Sequence, residues 1–535
     1  MKLRTYKPVA LVVMDGFGVS LEEKANAVAL AKKPTLDTLD TYYPFTTLQA
    51  SGIAVGLPWG ERGNSEVGHL TMGAGRVIYH SLPRITNDIQ DGGFYRNEAF
   101  LKAIEHSKIN NSKLHLIGLA SSGSVHAYIE HLYALLRLLE THQVPRVYLH
   151  IVTDGKDAIP KEGEKFMAHL GERMAKEFPH VAIGSVIGRF FAMDRDEQWE
   201  RTKKAYQLYA EGLGKAITGQ VGDELRASYD LGVTDEFIEP AFIPDVTGAM
   251  PSVVEDKDAV IFTNFREDSM RQIVRAFAEP AFDAFPRKFM RNLLIVTMTE
   301  YERGMNTLVA FPPIEIHAPL ARIISEAGMR QLHIAETEKY AHVTYFFNGG
   351  REKPFQNEER ILVPSLTATH PDDVPEMKAA EITARVVSEL PHYDFTLVNY
   401  ANADMVGHSG NLEAAVKAVE AVDRSLGELL REVPKDGGVV IVTGDHGNVE
   451  AKRNPLTGEK LTEHSLNPVP FYIVGEDFRL SIPRTPEGIR QRKREIGGIL
   501  TDVAPTIIEL LGLRKPPEMT GGSLLRLLRG QMSAN

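Results

Sequence analysis

Short, strand-length runs of apolar residues recur along this chain, each closed by glycine, aspartate or another turn former. The first, at 9–14, is valine-rich and ends at Asp15-Gly16-Phe17-Gly18. With no polar residue on either face, it predicts a parallel strand buried on both sides. Similar strand-like runs stand at 114–119, 147–152, 181–187, 259–263 and 293–298, and again at 393–400 and 439–443. Amphipathic stretches with helical spacing separate the middle set, near 131–140, 166–177, 197–209 and 270–278. Strands alternating with helices build α/β units, so the middle and last parts of the chain both predict an α/β fold. Segment 26–39 is helical in character, and Pro34 divides it because proline lacks the amide that a helix interior needs. The tail, 529–535, is expected to fray.

The chemistry-bearing residues cluster where the apolar runs stop. In open α/β sheets ligands gather at the carboxyl ends of strands, which suits Asp15 to chemistry. An aspartate before glycine is also an ordinary turn. The 393–400 run leads into Ala401-Asn402-Ala403-Asp404-Met405-Val406-Gly407-His408, and the 439–443 run into Gly444-Asp445-His446-Gly447-Asn448. Asp404 and His408 are four apart, so on a helical turn they share a face and can chelate one ion. Asp445 and His446 are neighbours at a strand end and can point to different sides. His464 follows Glu463 in a polar loop. Upstream, a glycine-punctuated stretch at 51–58 precedes Gly63-Asn64-Ser65-Glu66-Val67-Gly68-His69. This reads as a tight loop presenting the Ser65 hydroxyl with little obstruction. No Ser-His-Asp spacing suggestive of a hydrolase triad accompanies it. A hydroxyl needs a base or a metal to become a good nucleophile. Asp15, Asp404, His408, Asp445, His446 and His464, with Ser65, offer enough oxygen and nitrogen ligands for two divalent ions. Each piece alone is also readable as a satisfied polar turn; the set is stronger because three pieces directly follow strands.

Composition then narrows the class. At 535 residues, 43% hydrophobic and 24% charged, this is a soluble globular chain long enough for two domains, one inserted in the other. A formal net charge of −11 argues against a nucleic-acid partner. With no cysteine, disulfides and thiolate metal sites are excluded, and carboxylate with imidazole fits Mn²⁺ or Zn²⁺ better than Ca²⁺. The apolar stretch behind the basic N-terminus is too short for a secretion signal, and no run approaches the roughly 20 apolar residues that span a bilayer. A cytoplasmic enzyme without a membrane partner is expected. No coiled-coil repeat or exposed apolar stripe is visible, which points to a monomer. In the middle third, His126, Lys156 with Asp157, Arg189, Arg195 and Arg266 fall in loops. Arginines after strands suit an anionic substrate carrying phosphate or carboxylate, although any one surface arginine is more often simply solvated.

These residues also resemble a family. Asp15-Gly16-Phe17-Gly18, the Gly63–His69 string, Ala335-Glu336-Thr337-Glu338-Lys339-Tyr340-Ala341-His342-Val343-Thr344, Asp404-Met405-Val406-Gly407-His408, Asp445-His446-Gly447-Asn448 and Val503-Ala504-Pro505-Thr506 are similar, in the same order, to motifs of the cofactor-independent phosphoglycerate mutases of the alkaline phosphatase superfamily. The resemblance covers nearly the whole chain. It implies an alkaline-phosphatase-like metal domain built from both chain ends, 1–79 and 314–535, with an inserted α/β substrate domain at 80–313. It implies two manganese ions, one held by Asp404, His408 and His464, the other by Asp15, Ser65, Asp445 and His446. Lys339 would lie near the phosphoryl group, and His126, Asp157, Arg189, Arg195 and Arg266 match the family's substrate-binding positions. The implied reaction interconverts 3-phosphoglycerate and 2-phosphoglycerate through a phosphoserine on Ser65, with Asp157 moving the hydroxyl proton and no 2,3-bisphosphoglycerate required.

The departures cluster in the substrate set. Asp154-Gly155-Lys156-Asp157 has lysine where the family has arginine, which keeps the charge but loses the bidentate fork. Asn264-Phe265-Arg266-Glu267-Asp268-Ser269 lacks the family's second arginine at Ser269, so a phosphate-facing arginine is missing there. Residues 121–128 keep His126 but not its usual surroundings. Every metal-ligand position matches. The alternative is therefore a related metal-dependent phosphomutase or phosphatase for another small phosphorylated metabolite, and a non-enzymatic binding protein that kept the fold is a third reading.

Overall fold

Val9–Met14 is a strand with every residue buried. Its alternate side chains enter two different cores, Val9, Leu11 and Val13 in one and Ala10, Val12 and Met14 in the other. A strand covered on both faces has no use for polar positions, which explains the unbroken apolar run. In this computed structural model, residues 5–244, 252–366, 370–454 and 456–533 are described. The chain divides into two compact units, residues 1–80 with 314–535 and residues 81–313.

The first unit holds an eight-stranded sheet in the order Glu358–Val363, Gln331–Glu336, Phe395–Tyr400, Val9–Met14, Val439–Thr443, Val469–Val474, Phe45–Gln49, Ile496–Ile499. The first five run parallel. Val469–Val474 pairs antiparallel with both of its neighbours. Residues of the long helix Leu412–Glu432 share the core on one face, and those of Val503–Leu510 the core on the other.

The second unit is another eight-stranded sheet, ordered Leu308–Phe311, Leu294–Thr299, Ala259–Phe262, Leu114–Leu119, Val147–Thr153, Val181–Gly188, Ala241–Phe242, Lys215–Ala216. Its pairings are parallel except that of Val181–Gly188 with Ala241–Phe242. The fold class is α/β throughout. No helix among the described residues is long and apolar enough to cross a membrane.

Two local readings change and one holds. Ser65 is not in a loop; it is the first residue of the helix Ser65–Ala74, whose N-cap Asn64 accepts a hydrogen bond from the Val67 amide at 2.9 Å. Pro34 does divide segment 26–39, into Ala27–Leu30 and Pro34–Tyr42, and it opens the second helix at the first turn, where its missing amide costs nothing. Of the tail, the residues up to Ser533 are helical, as part of Leu525–Ser533, because Leu525 and Leu528 are buried in the first unit's core; 534 and 535 lie outside the described residues.

Candidate functional site

Four neighbouring parallel strands of the first unit end on one edge of the sheet, and each delivers a charged residue there. Gln331–Glu336 is followed by a turn ending in Lys339, and Phe395–Tyr400 by the short helix Asn402–Gly407 that carries Asp404. Val9–Met14 ends at Asp15, and Val439–Thr443 runs into Asp445 and His446. Sheet order thus brings together residues far apart in the chain. The glycines allow the close approach. A Cβ on Gly68 would lie 2.8 Å from the Asp445 carbonyl oxygen, and one on Gly16, whose φ is +70°, 2.6 Å from the Asp404 Cα.

Ser65 Oγ sits 2.9 Å from Asp15 Oδ1, 2.9 Å from His446 Nε2 and 2.7 Å from Lys339 Nζ. The Lys339 ammonium also lies 2.6 Å from both Asp15 Oδ1 and Asp404 Oδ2. All of these groups are buried. Asp404 Oδ1 is 3.3 Å from His408 Nε2 and 3.2 Å from His464 Nε2. In both histidines Nδ1 is engaged by a backbone carbonyl, that of Thr462 for His408 and that of Gly63 for His464. That pattern places the proton on Nδ1 and leaves Nε2 as a lone-pair donor turned toward Asp404.

Electrostatics follow from packing charges out of water. Burial pushes the Asp15 and Asp404 carboxyls up, but the Lys339 ammonium and His446 outweigh it and hold both below the usual carboxylate range. Burial alone would lower Lys339; Asp15, Asp404 and Asp445 raise it instead. His446 is likewise opposed by burial yet lifted by Asp445 and Asp404 to about 9. Asp445 Oδ1 accepts from the Gly16 and His446 amides, while its buried Oδ2 accepts no hydrogen bond among the described residues. Three buried carboxylates face one ammonium and a set of imidazoles. An orphaned carboxylate oxygen and two Nε2 lone pairs complete a donor set that fits divalent cations. Among the described residues, two groups have ligand atoms close enough together to hold an ion, Asp404 with His446 and His464, and Asp15 with His69 and Asp445.

His69 carries no role in the sequence reading. It is wholly buried, its Nδ1 lies 2.8 Å from the Ser65 carbonyl oxygen, and its Nε2 is 3.0 Å from Asn399 Nδ2, which also donates to Asp15 Oδ2. With both ring nitrogens engaged, His69 braces the serine turn. The signal was its position, four residues after Ser65, on the same helix face.

The second unit holds two further groups. Arg189 Nη1 lies 2.6 Å from Asp154 Oδ1 and 2.5 Å from Asp157 Oδ2, and its Nη2 is 2.9 Å from His126 Nε2. Asp154, also unassigned in the sequence reading, is the hub. It accepts from Ser121 Oγ and from the amides of Lys156 and Asp157. Those bonds and Arg189 outweigh burial and hold its carboxyl low. Burial and the Arg189 charge push His126 down to about 4, so its imidazole is neutral near pH 7. The Lys156 side chain is exposed, and only its backbone joins this group. Arg195 and Arg266 form the second group, both paired to Asp268, at 2.7 Å and 3.0 Å. Ser269 is wholly buried, bonded to Asn264 and to the Arg266 carbonyl. In this chain that position closes a turn; it does not face an anion.

The arrangement suits phosphoryl transfer to a serine beside metal ligands. Comparisons with known proteins show the family. A profile of the Metalloenzyme superfamily matches residues 7–515. The chain is 46% identical over 542 residues to the 2,3-bisphosphoglycerate-independent phosphoglycerate mutase of Chloroflexus aggregans, covering 97% of this chain and 98% of the relative. It is 44% identical to 2,3-bisphosphoglycerate-independent phosphoglycerate mutase 1 of Methanosarcina barkeri, with the same coverage. Among solved structures, Leishmania mexicana phosphoglycerate mutase at low cobalt concentration is 31% identical, with a TM-score of 0.55, covering 98% of this chain and 99% of that one. Near-full-length identity at this level carries the family with it, and the chain belongs to the 2,3-bisphosphoglycerate-independent phosphoglycerate mutases.

Proposed function

We propose that this chain interconverts 3-phosphoglycerate and 2-phosphoglycerate by passing the phosphoryl group through Ser65. The observation that carries the reading is the Ser65 hydroxyl, held at a helix start between Asp15, His446 and Lys339. The names of relatives at 44–46% identity support the substrate.

Two divalent cations, manganese in this reading, would be held by Asp404, His408 and His464 and by Asp15, Ser65, Asp445 and His446. When bound, they supply Lewis-acid stabilisation of phosphoryl charge and favour the ionised serine. The Ser65 Oγ–phosphorus bond forms as the bond from phosphorus to the substrate oxygen breaks. Asp157 gives the departing oxygen its proton and takes one from the second hydroxyl when that oxygen attacks the phosphoserine. Lys339, kept charged by the carboxylates around it, donates to a phosphoryl oxygen. Arg189, Arg195 and Arg266 are assigned to the substrate's anionic groups, with neutral His126 as a hydrogen-bonding partner. The asymmetry of roles is chemical. The first unit's residues handle the phosphoryl group, and those of the second the glycerate hydroxyl and carboxylate. A related phosphomutase or phosphatase for another phosphorylated metabolite is the competing reading, resting on Lys156 and Ser269.

The test uses metal-stripped protein reloaded with Mn²⁺ and given 3-phosphoglycerate without 2,3-bisphosphoglycerate. Enolase reports the 2-isomer, free phosphate is followed in parallel, and acid-quenched enzyme is mapped by mass spectrometry. The 2-isomer, little free phosphate and a phosphoserine at Ser65 are expected. Free phosphate as the main product moves the function to a phosphatase; turnover without phosphoserine in wild type, or undiminished in Ser65→Ala, overturns the serine route.

A further inference from the structure

Behind the ligand cluster lies a buried carboxylate that the reaction does not use. Glu450, 1% exposed, accepts four hydrogen bonds, two on each oxygen. Oε2 takes the Gly18 amide at 3.0 Å and the Asn448 amide at 2.9 Å. Oε1 takes Ser465 Oγ, in a short contact, and Asn467 Nδ2 at 2.9 Å. Each donor stands within three residues of a proposed ligand. Gly18 follows Asp15, Asn448 follows His446, and Ser465 follows His464.

The surrounding backbone is shaped to this carboxylate. A Cβ on Gly18 would fall 2.4 Å from Glu450 Cδ, and one on Gly447 2.5 Å from Oε1. Both glycines leave room for the charge. The same segment reaches the remaining ligand loop. Asn448 Nδ2 donates to Asp404 Oδ1 at 2.8 Å, and Lys452 Nζ donates to Asn448 Oδ1, in a short contact, and to the Gly407 carbonyl at 3.0 Å. The segment Asn448 to Lys452 is therefore bonded to the loops that bring Asp15, Asp404, His408 and His464.

We propose that Glu450 is a positioning residue, whose carboxylate fixes the loops of Asp15, His446 and His464 against one another and so sets the geometry of the metal-ligand set. The inference rests on the ligand reading above. Glutamine in its place keeps the volume but turns one acceptor oxygen into a donor. That NH₂ either faces the amides of Gly18 and Asn448, which can only donate, or turns to Ser465 Oγ and Asn467, whose hydroxyl and side-chain amide must then reverse their own bonding. Either way charge-assisted bonds to the carboxylate are lost, and the loops, with the ligands on them, are held less tightly. Outer-shell partners of metal ligands commonly change affinity by about 10–100-fold.

The experiment titrates metal-stripped full-length protein with Co²⁺, reading the visible d–d absorption and the dissociation constant, for wild type, Glu450→Gln and Ser465→Ala. Circular dichroism of the metal-free proteins controls for folding. Wild type that binds no Co²⁺ overturns the ligand reading itself. With wild type binding, Glu450→Gln is expected to keep its metal-free fold, bind Co²⁺ at least 10-fold more weakly and shift the absorption band. At saturating Co²⁺, kcat falls while KM for 3-phosphoglycerate holds. Wild-type affinity and spectrum in a folded Glu450→Gln overturn the proposal. Should Glu450→Gln fail to fold, Ser465→Ala decides, since it frees only the His464 loop. Weaker binding with an altered band supports the clamp, and unchanged binding overturns it.

Discussion

Lys339 is the ammonium among three buried carboxylates, beside an imidazole, His446, that they lift to about 9, and replacing it with methionine isolates what the ammonium charge does. Its ammonium lies 2.6 Å from oxygens of Asp15 and Asp404 and 2.7 Å from Ser65 Oγ, with its side chain 4% exposed. Methionine keeps most of the volume and removes the charge. Breaking a buried ion pair by deleting one partner costs about 3–5 kcal/mol, because the other charge stays behind without compensation. At about 2 cal/mol/K per residue over the roughly 300 residues of the first unit, the unfolding entropy is about 0.6 kcal/mol/K, so the melting midpoint should drop by about 5–8 °C. The pH dependence has a definite sign. In wild type the Asp15 and Asp404 carboxyls are held below their unfolded values. Their contribution is therefore present above about pH 4 and lost as the pH falls through the folded-state values. Without Lys339 only the imidazoles oppose burial, so the carboxyls shift upward and keeping them ionised costs more at neutral pH. The deficit of Lys339→Met should consequently narrow between pH 7.5 and 5.5. It should narrow again when a divalent cation is added at pH 7.5, since the cation restores positive charge. Scanning calorimetry of metal-stripped protein reads all of this. A drop of less than about 2 °C at pH 7.5, or a deficit that widens on acidification, would refute the reasoning.

Three other expectations are open to measurement. Gly68→Ala puts a Cβ within 2.9 Å of Asp445 and displaces the start of the serine helix; kcat should fall by about 10²-fold, while better helix propensity keeps the midpoint near wild type, and an unchanged kcat would remove the close-approach argument. Ser269→Arg forces a long cation into a filled, fully buried site, so the second unit should lose about 1–3 kcal/mol without any gain in KM for 3-phosphoglycerate, and a higher kcat/KM at an unchanged midpoint would contradict this. His115, His126, His131 and His150 are all held below the ordinary histidine value, chiefly by burial. They fold neutral while the unfolded chain takes up protons from about pH 6.5 downward, so their contribution is present above that pH and fades below it. The second unit's midpoint should fall between pH 7 and 5, and a flat profile would show these imidazoles accept protons in place.

Much of the scaffold could be read from local pattern. Val9–Met14, Leu114–Leu119 and Val439–Thr443 match the apolar runs residue for residue. Double-sided burial leaves no polar position to blur such a run. The helices Ile129–Thr141 and Gly163–Glu177 extend slightly beyond their amphipathic stretches, as caps and first turns carry no periodicity. Strands of two residues, Lys215–Ala216 and Ala241–Phe242, are too short to show any period at all. The glycines flanking Ser65 read as a loop, but the capping asparagine Asn64 starts a helix there.

By itself the sequence determined which residues could do chemistry: Asp15, Asp404 and Asp445 behind strands, the long specific strings, and a donor set confined to oxygen and imidazole because there is no cysteine. Only the tertiary structure decided which of them meet. Adjacency in a parallel sheet is set by packing among strands hundreds of residues apart, so neither the convergence of Lys339, Asp404, Asp15 and Asp445 on one edge nor the bracing by His69, Asp154 and Glu450 has a local signature. Those braces act through hydrogen bonds to backbone and side chains of distant segments, and a linear pattern cannot record a contact whose partner is chosen by the fold.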